Sequence, residues 1–160
     1  MKRLLALPPR SAWLLFAFLD TFCVGMGMGV PIFCIAFGVV VGYYLAHRFL
    51  PKQHATDQLL RGWLRYAALT SLLTLVLMAL LWGPWSRELW NPQADFANFG
   101  IPLILYDPRA SFAGWLVLMI LVSPFLQLLT TLFGAHVTYL WLLRGSELGP
   151  GNTLPSAHQN

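Results

Sequence analysis

From Ser111 to Leu143 the chain runs for 33 residues without one Asp, Glu, Lys or Arg. About 18 uncharged apolar residues suffice to cross a bilayer as a helix. A soluble domain of this size has no interior large enough to hide so long a run. Two further runs accompany it: Ser11 to Ala46, 36 residues interrupted only by Asp20, and Tyr66 to Trp85, 20 residues. None shows the strict alternation that a barrel strand in an outer membrane needs. Charged residues make up 10% of the chain, against roughly 25% in soluble domains. That excludes disordered and soluble globular classes, and two cysteines build no disulfide scaffold. The expected fold class is all-α, a polytopic integral membrane protein forming one membrane domain over residues 1–160.

The first run would reach about 54 Å as one straight helix, against a hydrocarbon core of about 30 Å. At its centre stands Gly25-Met-Gly-Met-Gly-Val-Pro31. Glycine weakens a helix interior, and proline is best placed in the first turn of a new helix. The run therefore reads as a tight hairpin of two spans, with Gly25–Pro31 as the reversal. The alternative is a re-entrant half-helix followed by three full spans. The expected spans are residues 11–28, 30–47, 64–85 and 112–143, a four-helix bundle. An external loop covers 86–111, a cytoplasmic loop 48–63, and a polar tail 145–160.

Charge placement bears on the same question. With two crossings in the first run, eight of the ten basic residues fall on one side and two, Arg87 and Arg109, on the other. With one crossing they divide equally. Short cytoplasmic loops carry the excess of Lys and Arg, so the first arrangement is expected, with both termini cytoplasmic in the plasma (inner) membrane. Lys2 and Arg3 precede an apolar stretch as in a signal peptide, but Pro8-Pro9-Arg10 interrupts it. An uncleaved first span capped by Ser11 is the reading. Pro124 is expected to kink the last span near Ser123.

Few residues are out of place in lipid. Asp20 lies about 14 Å from the start of its helix, near mid-membrane, where an ionisable group is a functional-site hypothesis by default. Thr70 and His136 fall at comparable depths, so Asp20, Thr70 and His136 are candidates for a proton or cation relay. On the last span Ser123, Gln127, Thr130, Gly134 and Thr138 form a small or polar stripe, with His136 on roughly the opposite side. His47 and His136 are weak candidates for haem ligands, without a Cys-x-x-Cys-His motif to support them. Cys23 and Cys34 read as buried free thiols. Gly25 with Gly29, and Gly38 with Gly42, form two GxxxG pairs expected to pack the first two helices together. Arg48, Lys52, Arg61 and Arg65 read as interfacial residues that reach lipid headgroups.

No phosphate-binding loop, nucleophile elbow, zinc motif or dinucleotide fingerprint occurs, so no catalytic or metal residue is assigned and the cofactor is left unknown. The partners expected are the bilayer and other membrane subunits, not nucleic acid. The leading functional expectation is a small non-catalytic accessory or assembly subunit of a membrane complex. A transporter or channel component using Asp20 with His136 is the alternative, and a haem- or quinone-linked redox protein stands third.

Overall fold

The computed structural model describes residues 8–26, 30–49, 56–98, 100, 103 and 105–147. Among them no strand occurs, and the chain is helical nearly throughout. The helices are α1 (Pro9–Met26), α2 (Val30–Phe49), α3 (Thr56–Trp82), α4 (Pro108–Val117) and α5 (Ser123–Glu147). Short 3-10 segments at Gly83–Trp90 and Phe96–Asn98 follow α3, and a wide π turn, Leu118–Val122, joins α4 to α5. Three stretches are long and apolar enough to cross a membrane: Pro31–Phe49, Asp57–Trp90 and Pro108–Arg144. Helix α1, which carries Arg10 and Asp20 within 18 residues, is not one of them.

The helix ends follow from proline. Helix α1 starts two residues before the expected Ser11 cap, because Pro9 fits a first turn and the Pro8 carbonyl accepts from Ala12 N–H at 3.0 Å. Pro31 stands in the first turn of α2. Helix α4 is capped by Asp107, whose carboxylate accepts from Arg109 N–H at 2.9 Å, with Pro108 at the first position. Further along, Pro124 has no N–H and crowds the preceding turn. The chain absorbs this by widening into the π turn, and Ser123 Oγ donates to the Leu118 carbonyl at 2.8 Å. The proline that sequence marks as a kink thus lies just after a local expansion of the helix. The residues between α1 and α2, 27–29, and the tail from 148 onward lie outside the described residues, and so do Gly29 and Lys52.

The buried residues of α3 are Leu59, Trp63, Ala67, Thr70, Thr74 and Met78, spaced by three or four. That period puts them on one face of the helix. The matching face of the last rod carries Met119, Ser123, Gln127, Thr131 and Ala135, each four after the one before. These faces build a layered interior. At one end Val24, Cys34, Met78 and Met119 form an apolar cluster, and at the other Leu45, Trp63 and Ala135 form a second. Between them lie Asp20, Thr74 and Gln127.

The glycines act differently from the sequence expectation. Gly38 and Gly42 face α5 and not α1. A Cβ on Gly42 would collide with the Thr131 carbonyl and lie 2.6 Å from Ala135 N. One on Gly38 would strike Thr130 Oγ1 and lie 2.8 Å from the Gln127 carbonyl. From the other side, a Cβ on Gly134 would sit 3.1 Å from the backbone of Val39. The two backbones touch along this seam because no side chain separates them. Gly25, by contrast, has nothing within 4 Å of its Cβ position.

Helix α1 is held less closely. Only Asp20 and Val24 of its residues are buried. Its Phe16 ring meets Phe37 of α2 edge-on at 6.2 Å, while Pro9 and Arg48 line one cavity, so the two helices run back against each other. They do not seal. A cavity of about 320 Å³ lies between α1, α2 and the first half of α3.

Candidate functional site

Asp20 is 1% exposed and projects from α1 toward α3. Its Oδ2 lies 2.8 Å from Thr74 Oγ1, which lies 2.8 Å from Gln127 Oε1 and 3.1 Å from the Thr70 carbonyl. Three helices thus meet at one hydroxyl. The neighbouring bond between Ser71 Oγ and the Pro124 carbonyl, at 2.6 Å, ties α3 to α5 one turn away.

A threonine hydroxyl has one proton to give. Two arrangements of that proton join the Asp20, Thr74 and Gln127 side chains. With the Gln127 amide oxygen facing it, Thr74 donates to Gln127, and a neutral Asp20 acid donates to Thr74. With the amide turned over, Gln127 Nε2 donates to Thr74, and Thr74 donates to an Asp20 carboxylate. In the orientation observed, Gln127 Nε2 is buried without a hydrogen-bond partner. Turning the amide would give it one. The node therefore accommodates either proton state by rotating one side chain, without moving a helix.

Of the residues marked in the sequence as a relay, the structure brings only some together. Thr70 is buried, but its hydroxyl is turned along its own helix to the carbonyls of Tyr66 and Ala67, both at 3.0 Å. It reaches Asp20 only through its carbonyl and Thr74. His136 stands exposed on α5, nine residues and about 13 Å along the helix from Gln127. It follows Ala135, which is turned inward, and so points away from the seam with α2. The His47 ring meets that of Tyr43 at 4.5 Å, tilted by 59°, with Nε2 buried and unpartnered. Both cysteines are free thiols, and Cys34 is buried in the apolar cluster beside Met78 and Met119. Among the described residues no three His, Cys, Asp or Glu side chains gather as a metal site would require.

Sequence reasoning missed Thr74, and it assigned Gln127 to a stripe without a partner. The signal was present. Thr74 is one turn beyond Thr70 on the same face, and a buried amide in an apolar helix must find a hydrogen-bonding group on another helix. Four other threonine hydroxyls answer to their own helices: Thr21, Thr130, Thr131 and Thr138 each donate to the carbonyl four residues back, at 2.7 to 2.8 Å. They extend no chain of polar groups away from Asp20.

Arg48, Arg61 and Arg65 are exposed near the end of the molecule where Pro9 lies. At the opposite end the Arg109 guanidinium donates to the Leu89 carbonyl, and Ser111 Oγ holds Leu105 through its N–H and carbonyl. Comparison with known proteins gives no match: no family model, no curated protein and no solved structure aligns with this chain at a significant level.

Proposed function

We propose that this chain is a multi-pass membrane protein that crosses the plasma (inner) membrane four times with both ends cytoplasmic, and that it acts as a non-catalytic accessory or assembly subunit of a larger membrane complex. One observation carries this reading. Asp20, the one buried carboxylate among the described residues, joins α1, α3 and α5, and among those residues no side-chain hydrogen bond carries the Asp20–Thr74–Gln127 set on to a further helix. An interior organised this way holds helices in register. The outer faces support the membrane part: Leu14, Phe18, Ile32, Leu80, Phe133 and Trp141 are all at least two-thirds exposed. Such apolar exteriors on several helices belong against lipid or against other membrane helices. Blue-native electrophoresis after mild solubilisation, with cross-linking, tests the assignment. A species larger than the monomer containing other chains is expected; migration only at monomer mass with no cross-linked partner would overturn it.

The two proton arrangements of the node support a second reading, a transport component in which Asp20 handles protons or cations. Reconstitution of wild type and Asp20→Asn into vesicles with an internal pH dye separates the two. Equal proton fluxes remove the transport reading, and a flux lost in the variant replaces the accessory one.

A further inference from the structure

The cavity beside α1 has the shape and polarity of a lipid site. It extends along α1 from Pro9 to Leu19, ten residues or about 15 Å. Its walls are apolar, with Phe16, Phe37 and Val41 on two helices and Tyr66 on the third. Thr70, whose carbonyl steadies Thr74, closes the deep end, and Arg48 stands at the shallow end. The guanidinium of Arg48 is exposed, with no ion-pair partner among the described residues. Of the described acids, Asp20 is in the node, Glu88, Asp95 and Asp107 belong to the loop between α3 and α4, Asp57 is exposed in the first turn of α3, and Glu147 is the last residue of α5.

An apolar slot about 15 Å deep with one unpaired cation at its mouth matches one kind of occupant, an amphiphile with an anionic head and an extended apolar tail. We propose that this cavity holds one acyl chain of an anionic phospholipid, whose phosphate lies against Arg48 while the chain end reaches Thr70. The site rests on the membrane reading given above and adds to it a specific ligand class. It also accounts for the loose fit of α1: the lipid chain supplies the contacts that α2 and α3 do not. A zwitterionic phospholipid fills the slot equally well but gains less at Arg48, because its own cation competes for the phosphate.

The test uses the full chain reconstituted in nanodiscs of equal phosphatidylglycerol and phosphatidylcholine, released into the gas phase for native mass spectrometry. Wild type is expected to retain one phosphatidylglycerol with a preference of about five-fold over phosphatidylcholine, the size expected for one cation at a lipid surface. Arg48→Gln should hold one lipid without preference. Val41→Trp, which puts a ring into the slot, should hold none, while Leu14→Trp, on the exposed outer face of α1, should behave as wild type. Photolabelling of wild type by phosphatidylglycerol with a reactive group near its chain end needs no variant to fold. It should mark α1 around Phe16 to Leu19 and α2 around Phe37 to Val41. Equal retention of the two lipids by wild type, or labels spread evenly over the outer helix faces, overturns the proposal. Alkaline carbonate extraction reports on the membrane reading separately. Wild type that resists extraction but shows no preference sinks the lipid site alone, and wild type that is extracted sinks both.

Discussion

Helix α2 shows two contrasting faces. Toward α5 it presents Gly38 and Gly42, and the two backbones touch with no side chain between them. Toward α1 it presents Phe37, Val41 and Tyr44, and the large side chains hold the helices apart around a cavity. The same 20-residue helix therefore makes one seam that tolerates almost no added volume and one that leaves room. On the membrane reading proposed above, helix association depends on close packing and on polar contacts, since lipid tails solvate apolar surface as well as protein does. The α2–α5 pair uses the first means. Helix α1 uses the second, attached through the Asp20 carboxylate and, near its end, through the Val24 carbonyl, which accepts from Trp82 Nε1 at 3.3 Å.

The largest effect expected is from Gly42→Leu. The obstacle at that site is the backbone of Thr131 and Ala135, which cannot rotate out of the way as a side chain can. A cost above about 3 kcal/mol is expected, read as loss of the folded species in detergent or its unfolding at much lower denaturant. Wild-type stability in this variant would mean that the seam opens without cost, and the contrast between the two faces would disappear.

Asp20→Ala is next, and it acts on the loose side. Removing the carboxylate leaves Thr74 and Gln127 to satisfy each other and leaves the 3.3 Å bond from Trp82 Nε1 to the Val24 carbonyl as the remaining polar tie of α1 to α3 among the described residues. A loss of about 1–3 kcal/mol is expected, the ordinary cost of unpairing buried polar groups. Limited proteolysis should cut first within or beside α1 while α2 to α5 stay protected. Asp20→Asn keeps a hydrogen-bonding group at the site and should recover most of the loss. Uniform sensitivity along the whole chain would show α1 to be as integral as the other helices.

How much of this was legible follows from what each signal depends on. The helices and the reversal between α1 and α2 were readable because uncharged length, glycine and proline act locally. Helix α4 begins at Pro108, four residues before the expected span of 112–143, since the uncharged run marks the apolar segment and says nothing of where a capped helix begins beyond it. Asp20 could be recognised as significant from sequence, because a carboxylate in an apolar run has a cost wherever it points. Its partner could be narrowed to one face of α3 and no further, because Thr70 and Thr74 share that face and choosing between them requires the axial offset of α3 against α1. The glycines are the sharpest case. GxxxG fixes that a backbone will be approached closely but not by which helix, and the approaching element, α5, lies almost a hundred residues further along the chain.

Smaller effects refine the comparison. Ser71→Ala removes the bond to the Pro124 carbonyl beside the π turn. Interhelical hydrogen bonds in membrane proteins average about 0.6 kcal/mol, so a destabilisation of that order is expected in the same unfolding assay. It should leave the proteolysis pattern of α1 unchanged, because this bond joins α3 to α5.

Gly25→Ala should have the smallest effect and the opposite sign. Nothing lies within 4 Å of the added methyl, so no contact is disturbed. Alanine is the better helix former, and the full advantage of about 1 kcal/mol applies to a helix interior. Gly25 is the second-last residue of α1, where the helix already frays, so a stabilisation below about 0.5 kcal/mol is expected. The same substitution at Gly42 meets backbone atoms at once and should destabilise. Paired unfolding measurements on Gly25→Ala and Gly42→Ala therefore test whether two glycines of the same sequence motif do different work: opposite signs support one packed seam and one open one. A comparable loss at both would mean that α1 packs through Gly25 against a surface absent from the monomer, as a second subunit would provide.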